Sequence, residues 1–79
     1  MSTVNKQDAG VSPAAVPTYQ DLVVSDREAL DKKIEALEKF TQDVKFTKLP
    51  YIDQDHLTGQ LFHMKAYSRI LAYRIERFS

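Results

Sequence analysis

Toward the C-terminus one helical row, His63, Tyr67, Ile70 and Arg74, with Arg69 and Arg77 close by, mixes aromatic and cationic side chains able to hold a charged ligand. Guanidinium forks grip phosphates bidentately and tyrosine rings stack on bases. Residues of this kind, brought together from several chains, would form a pocket for a planar anion. They also have a packing use, in which Tyr67 and Tyr73 seat their rings in an interface and the arginines form intersubunit ion pairs. Catalytic chemistry has less to stand on. The chain contains no Gly-rich phosphate loop, no H-E-x-x-H and no nucleophile elbow. His56 and His63 stand two helical turns apart, about 10 Å, too far to share a metal within one chain. A binding protein without metal or cofactor is therefore expected rather than an enzyme.

The elements that must position these residues come from a chain of 79 residues with two glycines and no cysteine, enough for one small domain. Folding alone, such a chain buries only about 60% of its unfolded surface, and no disulfide is available to compensate. Eleven basic and eleven acidic side chains cancel, which removes the global electrostatic case for duplex nucleic acid or a membrane surface. No basic, apolar signal segment opens the sequence and no apolar run approaches the roughly 18 residues of a spanning helix, so a cytoplasmic location is expected.

Residues 1–18, with Gly10, Pro13 and Pro17, read as a flexible N-terminal arm, either a free tail or an extended strap across a partner subunit. Residues 19–79 form the domain. Two start signals compete for the first helix: Thr18 followed by Asp21, and Ser25 followed by Glu28, the stronger capping box by residue type. The apolar stripe runs Val23, Leu30, Ile34, Leu37, Thr41, Val44, a heptad seam interrupted by one hydroxyl. Glu28–Lys32 and Glu35–Lys39 are spaced as i,i+4 pairs. Residues 45–55 break the pattern, and Phe46, Leu49, Tyr51 and Ile52 suit a plug over one end of the core. Asp53 or Asp55 would cap a second helix from about Asp53 to Arg77, with the seam Leu57, Leu61, Met64, Ser68, Leu71, Ile75, Phe78. Two seams of equal period specify an all-α antiparallel two-helix hairpin. Residues 20–44 carry seven acidic and four basic groups and residues 56–79 one acidic and four basic, so the helices attract.

A lone hairpin leaves one face of helix 2 uncovered. Phe62, Ala66, Ile70 and Tyr73 form a second apolar stripe nearly opposite the seam. An exposed apolar patch of this kind marks an interface, so the hairpins are expected to assemble through it into a homo-oligomeric helical bundle.

The segments DREALDKKIEALEKF and LTGQLFHMKAYSRILAYRI, with Tyr19 and Leu22 ahead of the first helix and Lys32 or Lys33 inside it, resemble the small helical-hairpin proteins of tailed bacteriophages. Among these the likeness is to the anti-CBASS and anti-Thoeris sponge proteins, whose hairpins oligomerise and sequester cyclic nucleotide immune signals. The resemblance implies a site in the host bacterial cytoplasm. It also implies that Tyr19 stacks on a base and that a helix-1 lysine, Lys33 or else Lys32, meets phosphate. With Tyr67 and Arg74 these are the aromatic and cationic residues nearest the hairpin's non-seam edges. The leading expectation is a phage anti-defence protein sequestering a cyclic nucleotide. The other readings are an inhibitor that docks on a host defence enzyme or nuclease, and a structural coiled-coil oligomerisation module.

Overall fold

A computed structural model describes residues 18–78; apart from Thr18, the expected arm lies outside the described residues. Three helices follow one another: α1 (Tyr19–Thr41), α2 (Val44–Thr47) and α3 (Tyr51–Glu76). α1 and α3 pack antiparallel as the expected hairpin, and no strand occurs among the described residues.

α1 starts at the earlier of its two signals. The Thr18 hydroxyl accepts from the Asp21 amide and the Asp21 carboxylate accepts from the Thr18 amide, each at 3.1 Å, closing a capping box. Ser25 and Glu28, the stronger box by residue type, fall inside the helix. Packing decides the matter: Val23, ahead of Ser25, is one of the few buried apolar residues and must already be helical to face α3. An N-cap lost to alanine typically costs about 1 kcal/mol. Thr18→Ala is therefore expected to lower the melting temperature by several degrees and Ser25→Ala to leave it unchanged; equal shifts in a thermal melt followed by circular dichroism would overturn this assignment.

The connector departs further from expectation. Asp43 caps a single extra turn, α2, by accepting from the Lys45 amide at 2.8 Å. This turn carries Val44 out of the seam to the surface, whereas Phe46 packs edge-on against Phe40 with ring centroids 5.9 Å apart. α3 begins two residues before Asp53. Pro50 is its N-cap, and the Pro50 carbonyl accepts from the amides of Asp53 and Gln54. A proline suits this place because its missing N–H would have no helical partner there. Neither Asp53 nor Asp55 is the cap, and Tyr51 and Ile52 form the exposed first turn instead of a plug. Gln54 ties the connector down by donating to the Leu49 carbonyl at 2.8 Å.

The core is small. Val23, Ile34 and Leu71 are its buried apolar residues, and Leu71 is only 1% exposed. The hydroxyl within the α3 seam is put to use. Ser68, 8% exposed, donates to Asp31 Oδ1 at 2.6 Å, and Arg27 Nε lies 3.5 Å from the same hydroxyl and 3.6 Å from Asp31 Oδ2. A buried polar atom is thereby satisfied and the register of the two helices fixed. Glu35–Lys39 closes at 3.9 Å as its spacing implies, while the pair at the start of the helix is Arg27–Asp31 instead of Glu28–Lys32. Gly59, in the interior of α3, costs about 1 kcal/mol against alanine, and a Cβ there would meet nothing within the chain.

Candidate functional site

The register divides the hairpin into two broad faces of different chemistry. Helical residues advance about 100° each, and in an antiparallel pair the flanks of like sign lie on the same side. Lys65 of α3 pairs with Glu38 of α1, which places Arg27, Asp31, Glu35, Glu38 and Lys65 together. The three ion pairs among the described residues all belong to this face. The other face carries Tyr19, Leu22, Asp26, Lys33 and Phe40 from α1, with His63, Tyr67, Arg74 and Phe78 from α3.

At the open end of that second face the structure joins two of the expected site residues. Arg74 donates a hydrogen bond to the Tyr19 hydroxyl, and its guanidinium carbon lies 5.6 Å from the Tyr19 ring centroid. Phe78 meets the same ring edge-on at 6.2 Å. Tyr19, the first residue of α1 instead of lying ahead of it, is nevertheless 62% exposed. An aromatic ring steadied from one side and open on the other is a stacking platform, and the neighbouring guanidinium supplies charge for a phosphate.

Lys33 and Tyr67 stand further along. Because Asp31 is level with Ser68, Lys33 and Tyr67 come within about 1.5 Å of the same height on facing helices. Both are exposed, and Lys33 has no ion-pair partner among the described residues. Tyr67 is about 10 Å from Arg74 along α3. The face thus holds the Tyr19–Arg74 junction and, further along, Lys33 and Tyr67 at similar height on facing helices, with Asp26 at a level between them. Lys32 sits about 100° away from Lys33, on the outer side of α1.

The stripe Phe62, Ala66, Ile70 and Tyr73 lies outermost on α3, and its three large members are exposed, Phe62 at 66%. A shallow groove lined by Thr58, Leu61, Phe62 and Lys65 opens beside it. The groove contains none of the four candidate ligand residues and is too open to enclose a nucleotide, so the chemistry favours the aromatic face. The described residues contain no cluster of metal-ligating side chains and no helix long and apolar enough to cross a membrane. Sequence reasoning overlooked the Arg27–Asp31–Ser68 clamp and Gly59; a serine inside an apolar seam and a glycine inside a helix were the signals available.

Fold and face together define a small all-helical hairpin protein whose aromatic and cationic side chains are gathered on one exposed side. The chain belongs to the Sequestin family, whose model matches residues 17–77. It is similar to a 7.5 kDa protein from the denB-rIIB intergenic region of Enterobacteria phage T4, with 37% identity over 60 residues that cover 76% of this chain and 94% of the relative. This kinship agrees with the expected likeness to small phage proteins. No solved structure matches significantly.

Proposed function

We propose that the protein is a phage anti-defence factor that sequesters a cyclic nucleotide immune signal without turning it over. The observation that carries this reading is the junction of Tyr19 and Arg74 from opposite ends of the domain, on the same face as Lys33 and Tyr67. Membership of a family named for sequestering and similarity to a phage protein support it. In this reading Tyr19 and Tyr67 stack on bases, Arg74 and Lys33 meet phosphates, and self-association through the outer row of α3 multiplies the open face into a site. Nothing in the arrangement activates a nucleophile, so the bound ligand is held intact.

The test is thermal melting and calorimetric titration with cyclic di-AMP, cyclic di-GMP and cyclic tri-AMP, with linear dinucleotides as controls. A ligand at 100 times its dissociation constant adds about 2.7 kcal/mol, which raises the melting temperature of a domain this small by roughly 10 °C or more. The ligand should be recovered unaltered on heating. Absence of any shift with the folded protein, or recovery of a cleaved product, overturns the proposal.

A further inference from the structure

Tyr19, Asp26 and Lys33 stand seven residues apart on α1, so they form one row spanning about 40° around the helix, with about 10 Å between neighbours. Tyr19 and Lys33 have roles in the functional reading, and Asp26 has none. Its side chain is exposed, and its carboxylate makes no hydrogen bond or ion pair among the described residues. A cation is close at hand. Because Asp31 is level with Ser68, Asp26 and Arg74 come within about 1.5 Å of the same height on facing helices, yet the Arg74 guanidinium is turned to the Tyr19 hydroxyl and ring instead. Asp26 thus remains an unneutralised acid on a face read as receiving phosphates, where like charge is unfavourable. A hydrogen-bond donor on the ligand offsets that repulsion, and in a cyclic nucleotide the base edges and ribose hydroxyls are the donors.

We infer that Asp26 reads the edge of the base stacked on Tyr19 and selects guanine. The Tyr19 ring is held by Arg74, which springs from the height of Asp26, so the ring is tied to the part of the face where the carboxylate stands. A base laid on its open side turns an edge toward Asp26. Guanine carries two adjacent donors on its Watson–Crick edge, N1–H and the N2 amine, and these match the two oxygens of one carboxylate. Adenine sets its N6 amine beside the N1 acceptor, whose lone pair would face the second oxygen. Cytosine likewise sets one amine beside an acceptor, and uracil has a single N–H between two carbonyls. Guanine is therefore the base that gains two charge-assisted hydrogen bonds without a repulsive contact.

This inference rests on the functional reading and names the base that the site prefers. The test is calorimetric titration of the full chain with cyclic di-GMP, cyclic di-AMP and cyclic di-IMP, whose hypoxanthine lacks the N2 amine. The native chain is expected to bind cyclic di-GMP about tenfold or more tighter than cyclic di-AMP, the scale of one bidentate base contact, with cyclic di-IMP between them. Asp26→Asn has the same shape but offers one donor and one acceptor, which match the edge of adenine, so the preference should reverse. Asp26→Glu keeps the carboxylate and should keep the preference for guanine. Circular dichroism of each variant confirms that the hairpin is retained. A native chain that binds cyclic di-AMP as tightly as cyclic di-GMP, or an Asp26→Asn variant that shifts both affinities by the same factor, as a contact to ribose or a purely electrostatic role would, overturns the guanine assignment alone. A chain that responds to none of these ligands, nor to cyclic tri-AMP, overturns the functional reading as well.

Discussion

Leu71→Ala is expected to unfold the hairpin. Leu71 is the most deeply buried side chain of α3, at 1% exposure, and shares the core with only Val23 and Ile34 among fully buried apolar residues. Truncating a buried leucine costs about 2–5 kcal/mol, depending on how far the site can collapse. A domain below about 70–80 residues rarely holds more than about 3–5 kcal/mol in total. The loss is therefore comparable to the whole stability. Far-ultraviolet circular dichroism at 25 °C should show most of the helical signal gone, or a melting midpoint lowered by more than about 15 °C. Val44→Ala is the control. Its heptad spacing marks Val44 as a seam residue, but α2 carries it out to 66% exposure, so the same truncation should change little. Equal melting of the two variants would show that the seam is wrongly drawn.

The contrast between Leu71 and Val44 shows which parts of the fold local pattern can specify. The α3 seam from Leu57 to Phe78 is fully or partly buried throughout, because a repeat of four and three residues commits one side of a helix to a neighbour whatever that neighbour is. Helix ends are competitions, and the winner is decided by tertiary packing. Ser25–Glu28 is a better capping box by residue type than Thr18–Asp21, yet Val23 is needed in the core and the helix starts early enough to include it. Asp53 is a good cap residue, yet Pro50 can open the helix without any side-chain cap, and Gln54 holds the turn before it.

The candidate face is legible in part for a related reason. The row of Tyr67 and Arg74 follows from the period of α3 alone. The meeting of Arg74 with Tyr19, 55 residues away, depends on the connector's length and on which turn of α1 lies opposite which turn of α3. That register is set by the Ser68–Asp31 hydrogen bond and the Lys65–Glu38 pair, neither of which a pattern of apolar spacing encodes. The same register sets Lys33 level with Tyr67, whereas Lys32 falls on the outer side of α1 through helical phase.

Tyr19→Ala and Tyr67→Ala should therefore each weaken binding of the responding cyclic nucleotide by about tenfold or more, since losing one base stack costs about 1–3 kcal/mol. Tyr19→Phe keeps the ring and removes only the hydroxyl that accepts from Arg74, so its loss should be much smaller than that of Tyr19→Ala. Arg74→Lys should also bind weakly, because an ammonium reproduces neither the bidentate fork nor the guanidinium packed over the Tyr19 ring. Lys33→Ala should lower affinity and steepen no other property, whereas Lys32→Ala, on the outer side of α1, should leave affinity unchanged. All of these side chains except Arg74 are exposed and Arg74 is half-buried, so melting temperatures without ligand should move far less than affinities. A pure packing role predicts another order: Tyr67→Ala would dissociate the assembly, Tyr19→Ala would do little, and the two lysines would behave alike. Mass by sedimentation and affinity by calorimetry, measured on the same variants, separate the two accounts. Loss of assembly in Tyr67→Ala with the ligand response intact would eliminate the aromatic face as the binding site.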